Sequence, residues 1–104
     1  MKKFQVRVTD LVHLQIDEQV VYIAKDSVDR ALAWEERLLA FIDWLGEFHG
    51  HALDEFASEQ FGSPVRKVVF EQTYLLHYVI DEGAGVVRVV NFRHGARLPE
   101  FEGL

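Results

Sequence analysis

The sequence predicts an α+β fold in which two helices pack on one face of a mainly antiparallel four-stranded sheet. The expected order is strand, helix, helix, strand, strand, strand. Apolar residues recur with the period of an amphipathic helix between residues 12 and 48, but with a period of two before that stretch and after Pro64. Helices that bury one stripe and strands that bury one face associate as layers around a common core, which gives this architecture.

The first predicted strand is FQVRV at positions 4–8, with Phe4, Val6 and Val8 on one face. Either Thr9 or Asp10 can cap the helix that follows, because its side-chain oxygen can accept an unpaired N–H of the first turn. The buried face of this helix is expected to contain Val12, Ile16, Gln19, Val20 and Ile23.

The second helix has the clearest pattern, and its N-terminal cap is expected at Asp26-Ser27. Gly46 lies inside the pattern, and Gly50 is the expected stop because glycine commonly follows a helix C-terminus. The apolar stripe comprises Ala31, Trp34, Leu38, Phe41, Ile42, Leu45 and Phe48. We therefore expect Trp34, Leu38, Phe41 and Leu45 in the core.

Residues 49–63 have a mixed pattern that predicts a loop with a short helical turn. Three strands follow at 65–71, 73–81 and 86–94, rich in the β-branched and aromatic residues that suit a pleated surface. Their short connections predict antiparallel neighbours. Strict alternation places Arg88, Val90, Phe92 and His94 on one face of the last strand, and Val87, Val89, Asn91 and Arg93 on the other.

Length and composition predict a single domain, residues 1–104, in the cytoplasm. The 104 residues include no cysteine, signal peptide or apolar run long enough to span a membrane. Residues 1–63 hold six Lys or Arg and twelve Asp or Glu, whereas residues 64–104 hold five of each. A formal net charge of −6 argues against broad binding to a phosphate backbone, which needs several cations on one face.

The stretch NFRHGAR, positions 91–97, concentrates Arg93, His94 and Arg97 without a carboxylate. In one interpretation the two arginines pair with carboxylates of the acidic helices. In the other they form a small site for an anion or a protein partner, since a guanidinium binds carboxylate and phosphate groups through two parallel hydrogen bonds.

Other polar candidates have simpler structural interpretations. His49 and His51, with Asp54 and Glu55 nearby, lack an established ligand spacing, so we expect no metal site and no cofactor. His77 is interpreted as a strand residue that pairs with a neighbour. Tyr74 and Tyr78 are interpreted as aromatic residues of the core or of a sheet face rather than as acids.

Several apolar residues lie outside the main stripes of the two helices: Leu11, Leu14, Val21, Leu32 and Leu39. They either seal the helices against each other or form an exposed apolar surface that requires a partner.

The chain resembles the RelE/ParE toxin superfamily of type II toxin–antitoxin systems, whose members are also described as plasmid stabilisation proteins. The matching segments span nearly the full length: YIAKDS at 22–27, VRKVVF at 65–70, the tyrosine pair Tyr74 and Tyr78, and VVRVVNFRHGAR at 86–97. The H-G-A-R sequence that closes a valine-rich strand is the most specific of these. The family fold has the same order of elements that periodicity predicts.

The resemblance implies one of two activities. RelE-like members cleave mRNA in the ribosome, and the corresponding candidates here are Arg66, Lys67, Arg93, His94 and Arg97. ParE-like members inhibit DNA gyrase through protein–protein contact. The net charge of −6, together with Leu75 where many relatives have arginine, favours the ParE-like branch. A member that has lost its toxicity, or that has another target, is the remaining alternative.

The resemblance also implies a cognate antitoxin that wraps around the toxin. Leu14 and Val21, with an exposed sheet edge, are the expected landing places, and Arg93 and Arg97 are the expected contacts to the target. The expected partners are thus the antitoxin and DNA gyrase, with the ribosome and mRNA as the alternative target and no membrane. Both a homodimer and a hetero-oligomer with the antitoxin are compatible with the sequence.

Overall fold

The fold is α+β, as predicted, and the computed structural model describes residues 3–95. The elements in chain order are β1 (Gln5–Val8), α1 (Asp10–Ala24), α2 (Val28–Trp44), α3 (Glu55–Phe61), β2 (Arg66–Phe70), β3 (Tyr74–Asp81) and β4 (Val86–His94). The strands lie in the order β1-β4-β3-β2. β2, β3 and β4 are antiparallel neighbours, whereas β1 runs parallel to β4, so the sheet is mixed.

Both long helices begin at the predicted caps. The Thr9 hydroxyl accepts a hydrogen bond from the backbone N–H of Val12 at 3.3 Å. The Ser27 hydroxyl accepts one from the N–H of Arg30 at 3.1 Å. Each cap satisfies a donor that has no partner inside its own helix and so fixes where the helix begins.

α2 ends at Trp44, earlier than the predicted stop at Gly50. The cause is contact with the chain just before β1, where the Phe4 N–H donates to the Gly46 carbonyl at 2.8 Å. A Cβ atom at Gly46 would lie 2.6 Å from the Phe4 carbonyl oxygen, so only glycine permits this approach. Phe48 therefore lies beyond the helix and is exposed, which makes its predicted place in the apolar stripe wrong.

The predicted face of α2 is otherwise confirmed. Trp34, Leu38 and Leu45 are buried in the main core, and Phe41 is partly buried against it. The sheet contributes Leu76, Tyr78, Val87, Val89 and Phe92 to the same core. The two helices and this face of the sheet thus form the layers that the sequence predicts. We call the face of the sheet that packs on α1 and α2 the helix-side face.

A bulge in β4 changes which residues share a face. His77 is paired with Asn91 and Tyr78 with Val89, so Val90 is an extra residue between two register positions. As a result Val87 and Val89 lie on the same side as Phe92, and strict alternation along β4 is wrong. The bulge moves Asn91 and Arg93 to the opposite face from Val87 and Val89.

The segment between α2 and β2 contains the predicted short helical turn as α3. It is tied to the sheet by two backbone hydrogen bonds, from Asp54 N–H to the Val65 carbonyl at 2.8 Å and from Lys67 N–H to the Ala52 carbonyl at 3.0 Å. Asp54, the residue that precedes α3, is therefore held in a fixed position beside β2. Among residues 3–95, no helix combines the length and the hydrophobicity needed to cross a membrane.

Candidate functional site

The strand register collects five residues on the face of the sheet opposite α1 and α2. Lys67 is paired with His77, His77 with Asn91, and Leu75 with Arg93. Directly paired residues lie on the same side of a sheet, and residues two apart on a strand do so as well. We call the surface formed by Lys67, Leu75, His77, Asn91 and Arg93 the polar sheet face.

A chain of side-chain hydrogen bonds crosses the polar sheet face from α1 to α3. The Gln15 amide nitrogen donates to the Asn91 carbonyl oxygen at 3.1 Å. The Asn91 amide nitrogen lies 3.0 Å from His77 Nδ1, and His77 Nε2 lies 2.9 Å from Asp54 Oδ2. The other oxygen of Asp54 caps α3 by accepting the N–H of Ala57 at 3.1 Å. Four separate elements are held together by this chain.

Gln15 also satisfies a backbone donor of β4 at the edge of the sheet. β1 ends at Val8, so β4 continues beyond it, and no strand of residues 3–95 pairs with β4 on that side. There the Gln15 side-chain oxygen accepts the backbone N–H of Phe92 at 2.8 Å. The side-chain amide thus satisfies a backbone donor as an adjacent strand would.

The hydrogen bonds define the protonation state of His77. Burial lowers its pKa; the bond to Asp54 opposes this, and the charges of Arg93 and Lys67 add to the lowering. Burial acts to raise the pKa of Asp54, but the N–H of Ala57 and the bond from His77 outweigh it, so the net shift is downward. Neutral His77 therefore donates from Nε2 to an ionised Asp54 and accepts from Asn91 at Nδ1. With both nitrogens occupied and the side chain fully buried, His77 is unsuited to exchanging protons with a ligand.

Arg93 lies on the polar sheet face and is half-buried. Its Nη1 atom donates to the Gly95 carbonyl at 3.1 Å, which orients the guanidinium along the end of β4. Arg97, the second arginine of the predicted cationic site, lies outside the described residues.

The remaining nuclease candidates lie on the helix-side face. Arg66 is paired with the core residue Tyr78, and its Nη1 atom donates to the His51 carbonyl at 2.6 Å. His94 is paired with Tyr74, and their rings meet edge to face with centroids 5.7 Å apart. The sheet thus separates Arg66 and His94 from Lys67 and Arg93.

The other predicted structural roles are supported by specific contacts. Tyr78 is a fully buried core residue whose hydroxyl lies 2.8 Å from His51 Nδ1. His49 stacks on Phe4 with ring centroids 4.5 Å apart. His77 pairs with neighbours, as expected, although Asp54 as one of them could not be identified from the sequence.

Apolar residues on the outer surface of α1 and α2 do not seal the helix pair. Leu14 and Val21 expose 62% and 61% of their surface, and Leu32 and Leu39 are also exposed. Of the two interpretations of these residues, the exposed apolar surface is therefore the correct one for these four, whereas Leu11 is only partly exposed.

Comparison with known proteins identifies the family. No curated protein matches the chain. The family model that describes the ParE toxin of the type II toxin–antitoxin system, parDE, matches residues 6–99. This range includes all but the first residue of β1, and it contains both long helices, the polar sheet face and the whole of β4. The chain belongs to the ParE toxin family of type II toxin–antitoxin systems.

Proposed function

We propose that the chain, acting as a single domain, inhibits DNA gyrase by protein–protein contact in the cytoplasm and is neutralised by a cognate antitoxin. The family match supports the class of toxin. The observation that carries the choice of target is the separation of the nuclease candidates onto opposite faces of the sheet.

Metal-free RNA cleavage needs a base for the 2′-hydroxyl, cations for the phosphorane and an acid for the leaving oxygen, all at one phosphate. Lys67 and Arg93 could supply the cations from the polar sheet face. The imidazole on that side is His77, which is buried and already hydrogen-bonded at both nitrogens. His94 belongs to the other face, beside Tyr74. This arrangement supports contact with a protein target better than it supports catalysis.

In this proposal Arg93 and Arg97 supply the cationic contact to the target. Both lie in a stretch, residues 83–99, that contains no carboxylate, within an acidic protein. An exposed ion pair typically contributes at most about 1 kcal/mol to stability, so structure alone gives little reason to keep two arginines there. A guanidinium that forks onto carboxylates of a partner gives such a reason.

Growth inhibition and mRNA mapping test the proposal together. Replacing Arg93 and Arg97 by Glu should abolish growth inhibition with little loss of stability, whereas charge reversal of Lys2 and Lys3 should leave it intact. His94→Gln should retain most toxicity, because docking requires no proton transfer. Primer extension after induction should show no discrete cuts within codons. Such cuts, with loss of toxicity in His94→Gln, would instead establish a ribosome-dependent nuclease.

The antitoxin is proposed to cover the exposed apolar surface of the helices, with Leu14 and Val21 as contacts. Burying a side chain of this size that is otherwise exposed typically contributes about 1.5–3 kcal/mol, enough to favour a bound segment strongly. Leu14→Glu and Val21→Glu should therefore each weaken antitoxin binding, measured by titration calorimetry. His13→Glu, on an exposed position of the same helix, is the matched control. If the folded Leu14 and Val21 variants bind the antitoxin with unchanged affinity, the antitoxin binds elsewhere on the chain.

A further inference from the structure

A cavity of about 450 Å³ lies at the C-terminal end of α2, away from the polar sheet face. It is lined by Trp44, Glu47, Phe48, His49, Gly50 and His51. Trp44 and Phe48 expose 41% and 45% of their surface. Large aromatic side chains supply much of the binding energy of many interfaces, so an exposed pair of them beside a cavity is a candidate binding surface.

The aromatic walls are held in place by their neighbours. The rings of Trp44 and Phe48 stack with centroids 5.1 Å apart and an angle of 23°. The ring of Trp44 also contacts the rings of Phe41 and His51, with centroids 5.4 Å and 5.6 Å apart. Phe41 in turn packs against the buried Phe70 at 5.1 Å. The cavity walls are therefore anchored to the core and need little reorganisation on binding.

Glu47 gives the cavity lining a negative charge, while the guanidinium of Arg66 lies behind His51 and is held by its backbone carbonyl. Glu47 is the only acidic or basic residue, apart from the two histidines, among the described residues that line it. The ion pairs of residues 3–95 do not include Glu47. Burial, together with the charges of Arg66 and His49, lowers the pKa of His51, whose Nδ1 is engaged by Tyr78. Near neutral pH, His51 therefore lines the cavity as an uncharged side chain.

We propose that this cavity binds an arginine side chain of the antitoxin, stacked on the Trp44–Phe48 pair and paired with Glu47. The inference rests on the proposed function, since it assumes that an antitoxin covers this toxin. A guanidinium is planar, stacks on aromatic rings and forks onto a carboxylate, so it matches all three groups. Residues 1–63 carry twelve acidic and six basic residues, so a cationic segment complements this part of the chain better than a neutral one.

The ligand chemistry is tested on the full chain with a blocked Gly-Arg-Gly peptide, followed by tryptophan emission. Trp34 is buried, so a change on titration reports Trp44. The arginine peptide should give a saturable change, and the matching citrulline peptide, which is neutral, should bind at least tenfold more weakly. Glu47→Gln and Phe48→Leu should each weaken arginine binding about three- to tenfold, whereas Glu36→Gln on the outer side of α2 should not. Equal binding of the two peptides, or unchanged affinity in Glu47→Gln, would overturn the inference.

The source of the arginine is tested separately with the cognate antitoxin of the proposed function. Its affinity should fall several-fold for Glu47→Gln and for Phe48→Leu. If these variants lose the arginine peptide but keep full antitoxin affinity, the arginine does not come from the antitoxin and the inference is overturned. If they lose antitoxin affinity while the Leu14 and Val21 variants do not, the cavity inference stands and the proposed landing surface fails.

Discussion

Replacing Asp54 by Ala tests the buried chain of hydrogen bonds that fixes α3 to the sheet. The carboxylate has two structural roles, as the cap of α3 and as the acceptor for His77 Nε2. Loss of a cap typically costs about 1 kcal/mol. Leaving the fully buried His77 donor without its acceptor should cost about 1–3 kcal/mol more. The expected decrease in the free energy of unfolding is therefore about 2–4 kcal/mol.

Urea denaturation at neutral pH measures this loss, with two variants that separate the roles of Asp54. Ser27→Ala removes the equivalent cap of α2 without a buried histidine and should cost only about 1 kcal/mol. Asp54→Asn has a single side-chain oxygen, so it can keep the cap of α3 but turns an NH2 group towards the His77 Nε2–H; it should lose about 1–3 kcal/mol, the part that belongs to the bond with His77. If Asp54→Ala costs no more than Ser27→Ala, the bond to His77 does not stabilise the fold.

Three further predictions concern stability. Folding lowers the pKa of His77 from its ordinary 6.5, so below that pH the unfolded chain binds a proton that the folded chain does not. The free energy of unfolding should therefore decrease as the pH falls below about 6.5. A urea midpoint that stays level there would contradict a neutral His77. Glu71 and Gln72 have φ angles of 50° and 60°, so Gln72→Gly should raise the free energy of unfolding by about 0.5–1 kcal/mol in the same assay, and a loss would argue against this turn geometry. Leu38→Ala and Leu45→Ala should each lower it by about 2–5 kcal/mol, and losses below about 0.5 kcal/mol would contradict their fully buried positions.

Much of the fold follows from local chemistry that the sequence displays directly. Thr9 and Ser27 are predicted caps because their hydroxyls precede periodic apolar stretches. The buried face of α2 follows from the spacing of Trp34, Leu38 and Leu45. These features depend on neighbours within a few positions along the chain, so periodicity and capping preferences are sufficient to locate them.

Features that depend on distant contacts could not be predicted. α2 stops before Gly46 because the chain beside β1, more than forty positions away, must approach its backbone. The bulge at Val90 arises from pairing with β3 and leaves no mark in the alternation of β4 itself. Because of the bulge, Arg93 lies on the opposite face from Val87 and Val89, whereas strict alternation placed all three on one face. The face of the sheet on which each candidate site residue lies could therefore be assigned only from the strand register.

The polar network illustrates the same limit. In the sequence Asp54 is distinguished only as a neighbour of His49 and His51, whereas its side chain bonds Ala57 and His77 in the structure. Its partner is His77, twenty-three positions later, brought near by the short bridge between Leu53 and Arg66. Asn91 and Gln15 carried no sequence signal, since a buried amide is identified only when its hydrogen-bond partners are known.

A supercoiling assay with purified gyrase, relaxed plasmid and the purified toxin shows directly whether the chain inhibits gyrase. The wild-type chain should inhibit supercoiling in proportion to its concentration, and His94→Gln should inhibit to a similar extent. The variant with Glu at positions 93 and 97 should not inhibit, while remaining folded by circular dichroism. Full supercoiling activity at saturating wild-type toxin would rule out gyrase as the target, and equal inhibition by the doubly reversed variant would rule out Arg93 and Arg97 as its contacts.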